Sequence, residues 1–208
     1  AINNNIIGEA NQPSPHGGEM VRGFKNIIFD LGRILVGLDN ERCIAAFERV
    51  GLEKIAFYVR VHRVEDLFLA AAVGDITTPQ FCDEVRRLCQ CSVSDADIIW
   101  AWNELLTGIP DVKKEALLAL RRSGHRLFLL SNTNFMHWDK CAADFFPYRD
   151  SEGHTYTATH FFEKIFLTCA LHLAKPDPAI FSAALRQAGF TAEDTLFIDD
   201  REDNSQAA

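Results

Sequence analysis

The sequence has no apolar run that approaches the roughly 20 residues of a membrane-spanning helix. It also lacks a basic surplus, because 29 acidic residues outnumber 21 lysines and arginines and give a net charge of −8. A protein that binds nucleic-acid phosphates needs a basic face. We therefore expect neither a membrane nor a nucleic-acid partner. The first residues carry no basic stretch followed by an apolar core, so a signal peptide is not expected either.

The cysteines lack the paired spacing of a zinc site. There are six of them, and only two lie close together: Cys43, Cys82, Cys89, Cys91, Cys141 and Cys169. We interpret them as reduced residues that fill core and helix positions, which is typical of a cytoplasmic protein.

Two apolar, strand-like runs end on carboxylates. Residues 24–32 (FKNIIFDLG) stop at Asp30, and residues 195–200 (TLFIDD) stop at Asp199 and Asp200. Ligands bind at the carboxyl ends of the strands in an open parallel sheet, so these three side chains should meet at one edge. Such an anionic cluster requires a cation, and its oxygen ligands suit Mg²⁺.

Two further strand-like runs end on polar residues. Residues 126–130 lead into Ser131-Asn132-Thr133-Asn134, and Lys175 follows the apolar run 165–167. Helical patterns alternate with these runs, at 111–123 and 178–189, and each is closed by glycine. Strands that alternate with helices predict an α/β fold with a doubly wound parallel sheet.

Between residues 38 and 107 the strand pattern stops, and the apolar spacing becomes helical. The predicted helices there cover residues 41–50, 64–73, 79–89 and 94–106. Elsewhere, the polar segment 148–160 is predicted to be a surface loop. Residues 1–22, which contain several Asn, Pro and Gly, are predicted to be a loose leader with a short strand at Ile6-Ile7.

The four strand-end motifs, in the order Asp, Ser, Lys and Asp-Asp, resemble the haloacid dehalogenase (HAD) superfamily of aspartyl-phosphate hydrolases. FDLG, LSNTN, KP and DD-x-x-DN are similar to a subgroup that includes sugar-phosphate phosphatases, glucose-1-phosphate phosphatases among them. The resemblance runs from about Phe24 to Ala208. It implies a Rossmann-like core built from residues 23–37 and 108–208, with an inserted all-helical cap at 38–107. Relatives continue with a helix and usually a strand after the fourth motif, so we expect the natural chain to extend further.

The resemblance also implies the catalytic roles. Asp30 would be the nucleophile that forms an aspartyl phosphate and splits hydrolysis into two easier steps. Ser131 and Asn132 would hold the phosphoryl oxygens through a hydroxyl and backbone N–H groups. Lys175 would pair with the phosphate and with the Asp30 carboxylate.

For the metal, the resemblance implies ligands from the Asp30 carboxylate, the backbone carbonyl of Gly32 and the second carboxylate of the pair, Asp200. Asp199 lies beside them as a further candidate. Asn204 is expected to orient a water molecule or Asp200.

Gly32 departs from the wider family, in which an aspartate at this position usually serves as general acid and base. The proton donor therefore stays open. Arg33, next to it, could reach the substrate or form a surface salt bridge. The cap should select the substrate, and its candidate residues are Phe57, Tyr58, His62 and Trp102.

The sequence thus predicts a Mg²⁺-dependent phosphatase of small phosphorylated metabolites such as sugar phosphates. One alternative is a dehalogenase that uses the same aspartate, but this chemistry needs no metal and leaves Asp199 and Asp200 unexplained. The other is a non-catalytic phosphate-binding or partner-binding module. The physiological substrate and the oligomeric state stay open.

Overall fold

The computed structural model describes residues 3–4, 23–62 and 66–208. The strands in this part of the chain are β1 (Asn3–Asn4), β2 (Asn26–Phe29), β3 (Gly37–Leu38), β4 (Leu106–Gly108), β5 (Arg126–Ser131), β6 (Tyr148–Arg149), β7 (Thr155–Tyr156), β8 (Lys164–Leu167) and β9 (Thr195–Ile198). The helices are α1 (Asn40–Arg49), α2 (Glu53–Arg60), α3 (Asp66–Ala72), α4 (Thr78–Cys89), α5 (Asp95–Asn103), α6 (Asp111–Arg122), α7 (Phe135–Lys140), α8 (Ala158–Phe161), α9 (Thr168–Leu171), α10 (Pro178–Ala188) and α11 (Glu202–Ala207).

The central sheet has the strand order β1-β9-β2-β5-β8, and all neighbouring strands are parallel. Phe29 at the end of β2 pairs with Ile198 of β9 and with Leu129 of β5. The Asp30 N–H continues the pairing by donating to the Ile198 carbonyl at 2.8 Å. This register aligns the strand ends, so the residues that follow them share one edge of the sheet.

Both faces of the sheet are buried, which explains the near-continuous apolar strands. Side chains alternate between the faces: Ile27 and Phe29 pack on one side, and Ile28 packs on the other. Helix α6 covers the first face through Leu117, and α10 covers the second through Phe181. The predicted doubly wound α/β sheet is therefore confirmed.

Helices α1 to α5 form the all-helical insertion that the sequence predicts. They lie between β3 and β4, which pair antiparallel at Gly37–Gly108 and Leu38–Leu106. The insertion has its own core, with Phe47 and Phe81 fully buried. Helix α4 begins with a capping box between Thr77 and Gln80. The residue boundaries of cap and core stay a prediction.

Several expectations differ from the structure. The segment predicted as a loop at 148–160 contains the β6–β7 hairpin and the start of α8, because Asp150 accepts hydrogen bonds from the backbone N–H groups of Glu152 and His154 at 3.0 and 2.8 Å. Helix α2 was not predicted. The strand expected at Ile6-Ile7 lies outside the described residues, as does most of the predicted leader.

All six cysteines are free, and burial raises the pKa of the Cys43 and Cys141 thiols to about 12. Among the described helices, none is long and apolar enough to cross a membrane.

Candidate active site

The centre of the site is the Lys175 ammonium, whose side chain is 1% exposed. It donates to Asp30 Oδ1 at 2.9 Å, to Asp199 Oδ2 at 2.5 Å and to the Leu130 carbonyl at 3.2 Å. An ammonium has three protons, so each has an acceptor. We call Asp30, Lys175 and Asp199 the buried ion cluster. The structure brings Lys175 to Asp30, as the sequence predicts, and adds Asp199 as a second partner.

The backbone of Lys175 is held by the side chain of Asn132. Asn132 Oδ1 accepts from the Lys175 N–H at 2.9 Å, and Asn132 Nδ2 donates to the Lys175 carbonyl at 3.0 Å. This two-bond clamp fixes the third strand-end motif to the second. Sequence reasoning considered only the phosphate-binding role of Asn132, because residue type does not indicate which distant segment an amide meets.

Asp199 is saturated by protein donors. Besides the Lys175 ammonium, it accepts from Asn204 Nδ2 at 3.2 and 3.1 Å and from the Arg201 N–H at 2.9 Å. Its side chain is fully buried. Asn204 therefore orients Asp199, whereas the sequence pointed to Asp200 or a water molecule.

Asp200 lies at the rim of the site and keeps 26% of its side chain exposed. It forms an ion pair with Arg33, whose Nε lies 3.7 Å from Oδ2. Of the two roles left open for Arg33, the structure displays an ion pair with Asp200. Arg33 occupies the tight turn after Gly32, with a φ of +64°.

The acidic groups fit a divalent cation. Asp30, Asp199 and Asp200 each offer a carboxylate oxygen, and these oxygens lie within 4.8 Å of one another. Three carboxylates face the buried Lys175 and the half-exposed Arg33, which leaves the site negative. Because Asp199 already accepts from three protein groups, Asp30 and Asp200 have the greater remaining capacity for a metal.

Burial raises the pKa of the Asp30 carboxyl from its ordinary 3.8 to about 6. This pKa of about 6 is a net result, because the Lys175 ammonium lowers the pKa of Asp30 and the neighbouring Asp199 carboxylate raises it. A strongly shifted carboxyl beside a specific charge partner is typical of functional sites.

Ser131 is the last residue of β5 and is buried. It follows Leu130, the residue whose carbonyl accepts from Lys175, and so lies at the edge of the sheet; its phosphate-binding role stays a prediction. The next two residues, Asn132 and Thr133, begin the 132–134 loop, which leads into α7. The Thr133 N–H donates to Thr168 Oγ1 at 3.1 Å, so this N–H is not free to bind a phosphoryl oxygen.

The cap contains a cavity of about 220 Å³ that includes three of the four residues suggested for substrate selection. They are Tyr58, His62 and Trp102, and their neighbours in the lining are Asn40, Val59, Phe68 and Leu105. The fourth suggested residue, Phe57, is not part of this lining and is 53% exposed. Trp102 also contacts the core, where its carbonyl lies 3.1 Å from His137 Nε2.

Comparison with known proteins gives a consistent result. A family model described as haloacid dehalogenase-like hydrolase matches residues 34–208. D-ribitol-5-phosphate phosphatase of Bacteroides thetaiotaomicron is 29% identical over 182 residues, which cover 86% of this chain and 84% of that protein.

Two solved structures show the same architecture. A HAD family enzyme from Bacteroides thetaiotaomicron, in complex with magnesium and inorganic phosphate, has 38% identity and a TM-score of 0.81, with 89% of each chain covered. A predicted HAD-like hydrolase from Porphyromonas gingivalis has 30% identity and a TM-score of 0.77, covering 89% of this chain and 86% of its own.

Proposed function

The chain belongs to the haloacid dehalogenase-like hydrolases, and we propose that it is a Mg²⁺-dependent phosphatase of small phosphorylated metabolites that works through an aspartyl phosphate on Asp30. The observation that carries this proposal is the buried ion cluster at the strand ends, with Asp200 at its rim. A structural ion pair would not need three converging carboxylates, because like charges at this distance repel.

The donor set supports magnesium as the cofactor. Mg²⁺ prefers oxygen ligands and keeps several waters. Asp30 and Asp200 would hold it, together with the Gly32 carbonyl that the family resemblance implies, and Asp199 would lie beside it. Bound there, the ion would neutralise the repulsion between carboxylate and phosphate and act as a Lewis acid. The related enzyme in complex with magnesium and inorganic phosphate supports magnesium as the cofactor.

The reaction begins with attack of an Asp30 carboxylate oxygen on phosphorus. This O–P bond forms as the bond from phosphorus to the leaving oxygen breaks. Lys175, held at 2.9 Å from Asp30 Oδ1, keeps the carboxylate ionised and oriented. Ser131 and Asn132 would bind the phosphoryl oxygens. Water then attacks the phosphorus of the aspartyl phosphate, which releases inorganic phosphate and restores Asp30.

The leaving oxygen receives no proton from position 32, because Gly32 has no side chain. A substrate whose leaving group carries negative charge well should therefore react fastest. D-ribitol 5-phosphate, the substrate in the name of one relative, is a primary alkyl phosphate. Its leaving group is a primary alkoxide, which carries negative charge poorly. Its hydrolysis by this chain would require another proton donor.

The substrate class that we propose is a sugar or polyol phosphate, and for its primary alkyl esters the proton would come from a residue other than position 32. The named relative supports this class, and so does the cap cavity, in which aromatic surfaces adjoin hydrogen-bonding groups. Tyr58 and Trp102 could pack against the C–H faces of a polyol.

The test is hydrolysis of p-nitrophenyl phosphate with and without Mg²⁺, followed by a panel of sugar and polyol phosphates. Asp30→Asn should abolish turnover. Asp144→Asn, at an exposed carboxylate paired with Lys140, is the matched control and should retain it. Borohydride reduction of quenched enzyme, with mass spectrometry of the peptide containing residue 30, should detect the aspartyl phosphate.

Four results would contradict the proposal. Activity that is independent of Mg²⁺ would contradict the role of the metal, and activity that survives Asp30→Asn would contradict the role of Asp30 as nucleophile. Release of halide from a 2-haloacid without phosphatase activity would favour the dehalogenase alternative. Phosphate binding with no turnover on any substrate would favour the non-catalytic module.

A further inference from the structure

Thr168 lies outside the buried ion cluster, yet it connects the candidate phosphate site to the cap. It is the first residue of α9 and is fully buried. Its hydroxyl oxygen lies 3.1 Å from the Thr133 amide nitrogen, 2.5 Å from the Ala72 carbonyl and 3.2 Å from the Thr133 carbonyl. Thr133 belongs to the 132–134 loop, and Ala72 is the last residue of cap helix α3.

The hydrogen-bond directions follow from the inventory of a hydroxyl, which has one proton and two lone pairs. The amide of Thr133 can only donate, so it uses a lone pair of Thr168 Oγ1. The hydroxyl proton goes to the Ala72 carbonyl, which is the closer of the two carbonyls. The last carbonyl groups of a helix have no partner within it, so Thr168 supplies the bond that α3 lacks. One hydroxyl thus joins a loop amide of the core to a helix end of the cap.

The surrounding contacts show that α9 and the end of α3 are closely packed. His172 Nδ1 lies 2.9 Å from the Val73 carbonyl. A Cβ at Gly74 would lie 2.0 Å from the Cys169 carbonyl oxygen, so only glycine permits this approach. His172 touches the cap without any bond to the 132–134 loop among the described residues. A variant at His172 can therefore weaken cap docking without removing a bond to the 132–134 loop.

We propose that Thr168 is a positioning residue that couples the 132–134 loop to the docked cap. The inference rests on the proposed function, in which Ser131 and Asn132 bind the phosphoryl group. Asn132 also clamps the Lys175 backbone through two hydrogen bonds. A displaced loop would therefore move a phosphate donor and the buried ammonium together.

The experiment compares three variants of the full chain in saturating Mg²⁺. Thr168→Val keeps the shape of the side chain and removes both hydrogen bonds, whereas Thr168→Ser restores the hydroxyl. His172→Gly is the matched control that loses only the cap contact, and glycine adopts the left-handed φ of +57° at this position without strain. The readouts are inhibition by inorganic phosphate, kcat and KM for p-nitrophenyl phosphate, and amide hydrogen exchange of the loop and of α3.

Thr168→Val should weaken phosphate inhibition about tenfold, the effect of one lost buried hydrogen bond, and should speed exchange in both segments. Thr168→Ser should stay within about threefold of the unmutated protein, because its hydroxyl reforms the bonds. His172→Gly should speed exchange in α3 alone. If Thr168→Val does not fold, Thr168→Cys keeps the size with a weaker donor and should weaken inhibition at least about threefold.

Two outcomes would overturn the inference. Unchanged phosphate inhibition in Thr168→Val, with faster exchange only in α3, would reduce Thr168 to a cap contact. Equal effects of His172→Gly and Thr168→Val on inhibition would assign the coupling to cap docking in general. If the unmutated protein neither hydrolyses p-nitrophenyl phosphate nor binds phosphate, the proposed function fails, and exchange in the loop and α3 still decides the coupling.

Discussion

His137 should make the stability of the protein depend on pH. The imidazole is buried at the junction of core and cap, 3.1 Å from the Trp102 carbonyl at Nε2. Asn134 Oδ1 accepts from the His137 backbone N–H at 3.0 Å, so the amide nitrogen of Asn134 faces His137 Nδ1 at 3.3 Å. Nδ1 is therefore the acceptor, and Nε2 carries the proton of the neutral ring.

A second proton on Nδ1 would face the N–H₂ group of Asn134 in a desolvated position. Burial accordingly lowers the pKa of His137 from its ordinary 6.5 to about 4, against a smaller opposing effect of the Trp102 carbonyl. Above about pH 6.5 the His137 ring is neutral in both the native and the unfolded states, so its titration does not change the free energy of unfolding. As the pH falls below this value, the unfolded chain takes up a proton that the native state refuses, so the free energy of unfolding decreases.

The size follows from the two pKa values. At about 1.4 kcal/mol per pH unit, the full loss between pH 6.5 and about pH 4 is about 3 kcal/mol. At pH 5 it is about 2 kcal/mol, or roughly a thirtyfold change in the ratio of folded to unfolded protein.

The assay is urea unfolding of the unmutated protein and of His137→Gln, at about pH 7.5 and about pH 5. Glutamine keeps a donor for Trp102 and does not titrate, so the stability of the unmutated protein relative to the variant should fall by about 2 kcal/mol at the lower pH. Carboxylates titrate equally in both proteins and cancel in this difference. His62→Gln, at an exposed histidine, is the control and should change the difference by less than about 0.5 kcal/mol. A His137→Gln difference that is the same at both pH values would refute the neutral, buried imidazole.

Three further predictions concern the metal and the leaving group. Asp200→Asn should raise the Mg²⁺ concentration for half-maximal activity at least about tenfold, because Asp200 is the carboxylate with spare capacity; an unchanged titration would move the metal elsewhere. Arg33→Gln should lower the Mg²⁺ concentration for half-maximal activity about two- to fivefold, because it removes a competing cation whose exposed ion pair is worth up to about 1 kcal/mol. Equal or weaker Mg²⁺ affinity of this variant in calorimetry would contradict the prediction. Gly32→Asp should flatten the dependence of the burst-phase rate on leaving-group pKa, because a general acid typically raises the rate about 10²–10⁴-fold. Position 32 can accept the side chain, since among the described residues the added Cβ would contact Leu38 Cδ1 at 3.4 Å. A flat dependence in the unmutated protein would mean that another residue supplies the proton.

The sequence predicted the sheet well because its strands are buried on both faces. Such strands appear as continuous apolar runs whose ends are visible wherever a polar residue follows, as at Asp30 and Ser131. The parallel register then aligned those ends without further information. Helices α1, α4 and α6 were equally predictable, because each has an apolar stripe at helical spacing. Asp39 and Thr77 mark the starts of α1 and α4, and Gly124 follows the end of α6.

The β6–β7 hairpin and helix α2 were not predictable in the same way. The hairpin has only two residues in each strand, and the side chain of Asp150 organises it through the Tyr156 hydroxyl at 3.1 Å as well as through backbone amides. Its composition is ordinary for a loop. Helix α2 follows α1 after only three residues and starts without a side-chain cap at Leu52, so no start signal marked it.

Long-range polar contacts are the other kind of feature that could not be predicted from the sequence. Thr168 and His137 occur in unremarkable contexts, and their roles depend on the cap segments that they meet, Ala72 and Trp102. These partners are separated from them by 96 and 35 positions along the chain. Periodicity describes which face of an element is buried, but it carries no information about which distant carbonyl group approaches that face.

The Asp199-Asp200 pair shows this limit within two adjacent residues. Both carboxylates end the same strand, and their side chains are chemically identical. Strand β9 ends at Ile198, and beyond it the Asp199 side chain enters the interior while Asp200 stays at the rim. There Asp199 meets Lys175, Asn204 and the Arg201 N–H, and its charge is compensated before any metal arrives. Within the described residues, the ion pair of Asp200 is with the exposed Arg33, at 3.7 Å, so a divalent cation gains more from Asp200. The two aspartates therefore differ in the number of donors that the fold supplies to each, and those donors come from positions that the acidic motif does not contain.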